Sequence, residues 1–192
     1  MQQKSRIQSK TVVIAASNID TDQLMPARFL TTTTRHGLGQ HLFADWRYDA
    51  NGQPIASFAL NDPASKGAKI LVAGPNIGCG SSREHAPWGL LDYGFEAVVS
   101  SQIADIFKNN CLKNGLLPVV VDEATHQTLL HSPGAEVVID VAHRTLSIVG
   151  GPSTTFALEP FAQYCLLNGI DEAGYLLSKA DAIRAYEQRM GL

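Results

Sequence analysis

The run Gly74-Pro75-Asn76-Ile77-Gly78-Cys79-Gly80-Ser81-Ser82-Arg83-Glu84-His85 concentrates more potential chemistry than any other segment of the chain. Glycines permit positive φ and close backbone approach to a ligand, the two serines offer hydroxyls, and Arg83 offers a planar fork for a carboxylate or phosphate. The run follows an apolar stretch, Lys69 to Ala73, and leads into a helical pattern from Pro87. Free N–H groups at such a junction attract anions. These residues suit an anionic small molecule and a serine that moves a proton.

Two readings of Ser81 compete at this level. Ser81-x-x-Glu84 fits a capping box, in which both side chains only satisfy helix N-terminal amides. Against it, Pro87 would fall inside the second turn of a helix begun at Ser81, so an irregular first turn with regular helix resuming near Ala86 is expected. A serine base needs backbone amides and a nearby cation, because a free hydroxyl is too weakly acidic to ionise at neutral pH. The G-x-S-x-G nucleophile elbow and the Walker A pattern are both absent from the sequence, which disfavours ordinary hydrolases and nucleotidases.

The elements that must position this turn alternate along the chain. Runs rich in β-branched residues at Thr11–Ala15, Lys69–Ala73, Ala97–Ser100, Pro118–Val121, Glu136–Val141, Thr145–Val149 and Thr154–Leu158 predict strands. Helices are predicted at Pro87–Tyr93, Ile103–Asn114, Glu123–His131, Pro160–Leu167 and Asp171–Arg189. Gly115 is a stop signal, Asp122 a cap, and Pro160 suits a first turn. Ala142-His143-Arg144 joins two strands closely enough for an antiparallel hairpin. The pattern predicts one mixed α/β domain over residues 1–192, with a long loop at about 42–67 punctuated by the Asn51-Gly52 turn. Phe43 and Trp46 in that loop either pack on the core or cover a site.

Composition removes whole classes of function. A net charge of −3 and a pI near 6.0 supply no electrostatic motive for binding nucleic acid. No apolar run approaches the roughly 20 residues of a membrane span, and residues 1–10 lack the apolar segment of a secretory signal, so a cytoplasmic location is expected. A charged fraction of 17%, below the roughly 25% of average domains, hints at surface covered by another chain. The three cysteines, at 79, 111 and 165, form no CxxC pair, and the six histidines show no metal-binding spacing, so no metal site on this chain is expected. Cys111 and Cys165 read as buried small hydrophobes.

Three ordered motifs carry a resemblance. Gly80-Ser81-Ser82-Arg83-Glu84-His85-Ala86 resembles the mobile-domain active-site motif of the aconitase superfamily, and Ile19-Asp20-Thr21-Asp22-Gln23-Leu24-Met25-Pro26 resembles a second signature of that domain. Ala104 to Pro118 resembles the helix and strand that follow. With the Arg28-Phe29-Leu30 to His41-Leu42-Phe43 segment and the loop after it, the chain is most similar to bacterial small subunits of 3-isopropylmalate dehydratases. The resemblance implies an aconitase-type swivelling β/β/α domain.

It also implies roles. Ser81 would be the base, Arg83 would grip a substrate carboxylate, the amides around Gly80 to Ser82 would support the alkoxide, and Ser82 would be a supporting donor. Asp22 would orient the site, although on local pattern it equally suits a cap for a short helix at Pro26 to Leu30. The segment Phe29-Leu30-Thr31-Thr32-Thr33-Thr34-Arg35 would help select the substituent on a malate skeleton. Phe29 and Leu30 suit an isopropyl group, while Arg28 and Arg35 leave a third carboxylate possible. Such enzymes hold a [4Fe-4S] cluster through three cysteines, which the family carries on a separate large subunit. The implied activity is therefore a hydro-lyase of leucine biosynthesis, active only as a heteromer. Homoaconitase and citraconate or methylmalate hydratase small subunits are alternatives within the superfamily, and a non-catalytic anion-binding regulatory subunit is the alternative outside it.

Overall fold

A computed structural model of the chain describes residues 1–31 and 34–191. Seven strands form a single mixed sheet: β1 (Arg6–Ile14), β2 (Ile70–Ala73), β3 (Ala97–Ser100), β4 (Leu117–Val120), β5 (Glu136–Asp140), β6 (Thr145–Ile148) and β7 (Ser153–Thr155), in the order β4-β3-β2-β1-β5-β6-β7. The pairs from β4 to β1 are parallel, and those from β1 through β7 are antiparallel. Strand β1 thus joins two halves, its residues 11–14 pairing with β2 and its residues 6–10 with β5. The mixed α/β class predicted from the alternation of elements is the class observed.

Eight helices accompany the sheet among the described residues: α1 (Thr21–Leu24), α2 (Ala44–Arg47), α3 (His85–Tyr93), α4 (Asp105–Asn114), α5 (Glu123–Leu130), α6 (Pro160–Asn168), α7 (Glu172–Ser178) and α8 (Ala180–Met190). Helices α3 and α4 make the crossovers between parallel strands, as parallel pairing requires. Successive residues of β2 point to opposite sheet faces and all four are buried. Leu71 and Ala73 join a core with Leu90, Phe95, Phe107 and Cys111, while Ile70 and Val72 join Leu129, Val137, Ile139 and Leu166 on the other face. Apolar layers on both faces explain the unbroken Ile-Leu-Val-Ala run of this strand. Pro118 sits within β4, an edge strand, where its missing N–H removes no interior ladder bond.

The predicted ends hold where the signal is local. Gly115 closes α4 in the left-handed region with φ +84°, and Pro160 opens α6 behind a Glu159 cap. The C-terminal stretch predicted as one helical region divides at Lys179 into α7 and α8. Neither contains a buried residue, and Leu176, Leu177, Tyr186 and Met190 are exposed. The strand predicted at Thr154–Leu158 is shorter, because Phe156 and Leu158 leave the ladder to enter the core. Phe43 is fully buried, with Trp46 stacked on it and Phe58 tilted against it, so the aromatic residues of the 42–67 region pack on the core.

Asp122 caps α5 by accepting from the Thr125 amide at 2.8 Å, and its carboxylate also accepts from the Thr125 and Thr154 hydroxyls. The Thr125 bonds, followed by that from Thr154, lower its pKa from 3.8 to about 2. A depressed carboxylate stabilises the fold above its unfolded pKa, and that contribution disappears as the pH falls through the folded value. Asp122→Ala is therefore expected to lower Tm at neutral pH, with the gap from the parent protein closing between pH 3.8 and about 2 in thermal melts.

Candidate active site

The candidate residues gather where β1 and β2 end, at the carboxyl edge of the parallel half of the sheet. Ligands of open α/β sheets commonly bind at such edges. The chain leaving β1 and the chain leaving β2 run side by side. Asn18 donates its amide to the Pro75 carbonyl at 2.9 Å, Gly78 to Ile19 at 2.7 Å, and Thr21 to Cys79 at 3.0 Å. Asn76 and Ala104 add bonds to the segment leaving β3, through the carbonyls of Gln102 and Ile77 respectively. Gly78 has φ +77°, and a Cβ there would lie 2.1 Å from the Phe107 ring, so only glycine lets the turn lie this close to α4. Gly80, at φ +91°, turns the chain outward toward the serines.

Helix α1 starts with a reciprocal cap. The Asp20 carboxylate accepts from the Gln23 amide at 2.7 Å, and the Gln23 side chain accepts from the Asp20 amide at 2.9 Å. The short turn at Ala27–Phe29 has Pro26 at its N-cap position and no side-chain cap, so Asp22 does not cap it. Asp22 forms an ion pair with Nη1 of Arg83, 61 residues away in sequence. The buried Thr21 hydroxyl donates to the Ser81 carbonyl at 2.9 Å. One short helix thereby grips both Ser81 and Arg83.

Of the two readings of Ser81, the capping box does not form and the irregular first turn does. Helix α3 begins at His85, with Glu84 at its N-cap position and no side-chain cap. The bond from Thr21 to the Ser81 carbonyl and the positive φ of Gly80 draw residues 80–84 toward α1, out of the helix axis. Pro87 then occupies the third helical position, where an N–H would have no intrahelical acceptor. Gly80, Ser81 and Ser82 are exposed, and the Ser81 hydroxyl bonds to no other described residue. Arg83 is mostly covered, at 20% side-chain exposure, yet only Nη1 is engaged among the described residues. Its other guanidinium donors can still take a carboxylate.

Several of the remaining predicted residues have their partners elsewhere. Arg28 is bound to Asp45 through two contacts, one of them 3.1 Å, and lies 4.6 Å over the Phe29 ring. The hydrogen bond from Arg28 is the main reason Asp45 stays more acidic than an ordinary aspartate. Phe29 is stacked on His41 at 3.9 Å, so its ring already has a partner within the chain. Leu30 is half-buried and Thr31 exposed, while Thr32 and Thr33 lie outside the described residues. Arg35 lies 5.0 Å over Trp88 of α3. An open groove of about 670 Å³ is lined by Arg28, Phe29, His41, Asp45 and Tyr48, away from the serines.

Sequence reasoning missed three polar contributors. Thr21 was visible only as part of the Asp20-Thr21-Asp22 motif. Asn110 of α4 reaches the Ser82 hydroxyl at 3.5 Å, and Trp88 of α3 donates its indole N–H to Asn114 at 2.8 Å. Nothing in the local pattern of α4 marks either asparagine.

The three cysteines do not converge. Cys111 is fully buried, and burial holds its thiol well above the usual range, while Cys165 is on the buried face of α6 and Cys79 is half-buried in the turn. Among the described residues, no group of three or more His, Cys, Asp or Glu is arranged to hold a metal ion. The residues present do not fit a [4Fe-4S] cluster, which needs converging thiolates.

The model of the aconitase C-terminal domain matches residues 1–124, which include every element of the serine turn. A 3-isopropylmalate dehydratase small subunit from Anaeromyxobacter sp. (strain K) is 56% identical over 181 residues, covering 94% of this chain and 95% of the relative. The chain belongs to the 3-isopropylmalate dehydratase small-subunit family. A second member, from Roseiflexus castenholzii, is 52% identical over 187 residues, covering 95% of this chain and 92% of that one. The crystal structure of a 3-isopropylmalate dehydratase from Methanocaldococcus jannaschii superposes with a TM-score of 0.71 at 26% identity, over 95% of this chain and 99% of that one. The resemblance of motifs thus extends to the small-subunit family in sequence and to an isopropylmalate dehydratase in fold.

Proposed function

We propose that this chain supplies the proton-transfer half of a 3-isopropylmalate dehydratase active site, interconverting 2-isopropylmalate and 3-isopropylmalate through isopropylmaleate in leucine biosynthesis. The observation that carries this reading is the exposed Ser81 hydroxyl, uncommitted among the described residues, two positions from an Arg83 guanidinium aligned by Asp22. Ser81 Oγ, as alkoxide, takes the proton from the carbon next to a carboxylate. The C–H pair becomes the new C=C bond as the C–O bond on the adjacent carbon breaks. Rehydration with the hydroxyl on the other carbon returns that proton from Ser81 and gives the isomer. Arg83 holds the carboxylate on which negative charge grows, and Ser82 and the Gly80–Ser82 amides stabilise the serine anion.

Departure of hydroxide requires a Lewis acid, which a [4Fe-4S] cluster on the large subunit provides. A site of exposed residues on this chain is then completed by the surface of a partner, in the cytoplasm. No described helix is long and apolar enough to cross a membrane. The pairing of Arg28 with Asp45 supports a substrate with an apolar substituent, because that cation is already matched by a carboxylate within the chain, while Arg35, lying over Trp88, keeps its N–H donors. Phe29, Leu30 and Thr31, which follow Arg28 in sequence, shape that choice.

Reconstitution tests the whole reading. The purified chain is expected to contain no iron and to show no turnover, and anaerobic addition of the cluster-bearing large subunit is expected to restore isopropylmalate isomerisation in preference to homocitrate or citramalate turnover. Activity of the chain alone overturns the divided site. Preference for homocitrate or citramalate reassigns the substrate, and a complex inert on all three favours an anion-binding regulatory subunit.

A further inference from the structure

The serine turn is rooted in two side chains far from it in sequence. His126 of α5 is fully buried, and its Nε2 lies 2.8 Å from the carbonyl oxygen of Ala73, the last residue of β2. A carbonyl only accepts, so Nε2 carries a proton and donates it. Nδ1 faces no hydrogen-bond partner among the described residues. A buried ring with half of its polar capacity unmet is costly, and an apolar residue would fill the same space without that penalty. The histidine's single evident polar contribution is one N–H directed at Ala73.

The next carbonyl is held in the same way. Ser100 at the end of β3 is fully buried and donates its hydroxyl to the Gly74 carbonyl at 3.1 Å. Gly74 itself donates to Ile14 at 3.0 Å, and a Cβ on it would lie 2.3 Å from the Ala16 carbonyl oxygen. Beyond it, Pro75, Asn76, Ile77, Gly78 and Cys79 each make a backbone bond to a neighbouring segment, ending at the Thr21 hydroxyl on the Ser81 carbonyl. The chain from Ala73 to Ser81 has little slack, so a shift at its root is carried along it to the serine.

We infer that His126 is a positioning residue for Ser81, acting through the Ala73 carbonyl, with Ser100 holding the adjacent Gly74 carbonyl in the same role. The inference rests on the reading of Ser81 as the proton-transfer group. Placement errors of an ångström at a reacting group cost up to about 10²-fold in rate. Loss of the buried donor should therefore lower kcat, while Arg83, tied separately to Asp22, keeps substrate affinity.

The test uses the complex reconstituted with the large subunit. His126→Phe is expected to lower kcat by roughly 10- to 100-fold with KM changed less than about twofold, and His126→Gln, whose amide can replace the Nε2 donor, to recover most of the loss. Leu129→Ala, which hollows the core beneath the same helix, is expected to lower Tm at least as much while leaving kcat unchanged. Equal kcat losses in His126→Phe and Leu129→Ala, or no recovery with glutamine, overturn the inference. Ser100→Ala provides the same measurement if His126→Phe does not fold, and an unchanged kcat there overturns it too. Ser81→Ala measured alongside separates the two levels. If that variant remains active, the reading of Ser81 itself fails; if it is inactive while His126→Phe behaves like Leu129→Ala, only the positioning role fails.

Discussion

Ser81→Ala in the reconstituted complex is expected to reduce kcat by about 10³-fold or more, with assembly and thermal stability almost unchanged. Removal of a positioned general base typically costs 10²- to 10⁴-fold, and in the proposed mechanism the same oxygen accepts the proton in one direction and returns it in the other. The structure separates this outcome from a capping role. Were Ser81 an N-cap, alanine would destabilise the protein by about 1 kcal/mol and leave turnover largely intact. Helix α3 starts four residues later without a side-chain cap, and the Ser81 main chain is held through its carbonyl by Thr21, independently of its own hydroxyl. The expected change in stability is therefore within about 0.5 kcal/mol. Steady-state rates with native mass spectrometry of the complex decide the matter, and a loss below tenfold returns Ser81 to a structural role.

Arg83→Lys is expected to raise KM by roughly 10²-fold and to lower kcat as well. A charge-assisted hydrogen bond is worth about 1.5–3 kcal/mol, and the planar fork offers two that a lysine ammonium cannot reproduce at once. Asp22 already engages Nη1, so a lysine that keeps this ion pair has a less suitable donor arrangement for the substrate. The stability cost should be small, since Asp22 is about half exposed, at 51%. An unchanged KM for both isopropylmalate isomers would remove Arg83 from substrate binding and leave it as an ion-pair partner of α1.

Much of the fold was legible because its signals are short-range. β-branched runs mark the strands, and Gly115, Asp122 and Pro160 act on the helices that contain or adjoin them. The first part of β1 was missed for a physical reason. Within Arg6–Lys10 only Ile7 is buried, and the remaining residues face out from a ladder whose partner, β5, lies about 130 residues away. The break at Lys179 was also illegible, because the flanking sequence continues to favour helix on both sides.

The site divides in the same way. Types and order of residues in the Gly74 to His85 run point by themselves to a serine and an arginine suited to an anion, while the role expected of Asp22 came from the resemblance, which pointed to the family to which the chain belongs. Residue identity sets which protons and charges are available, so this much needs no coordinates. Only the tertiary structure decided that Asp22 pairs with Arg83 while Asp20 caps α1, that Ser81 stands outside the helix, and that Arg28 and Arg35 are already engaged. The Asp20 cap is itself local to α1, but the other outcomes depend on groups distant in sequence and brought together by packing, and contacts across such separations leave no trace in local sequence.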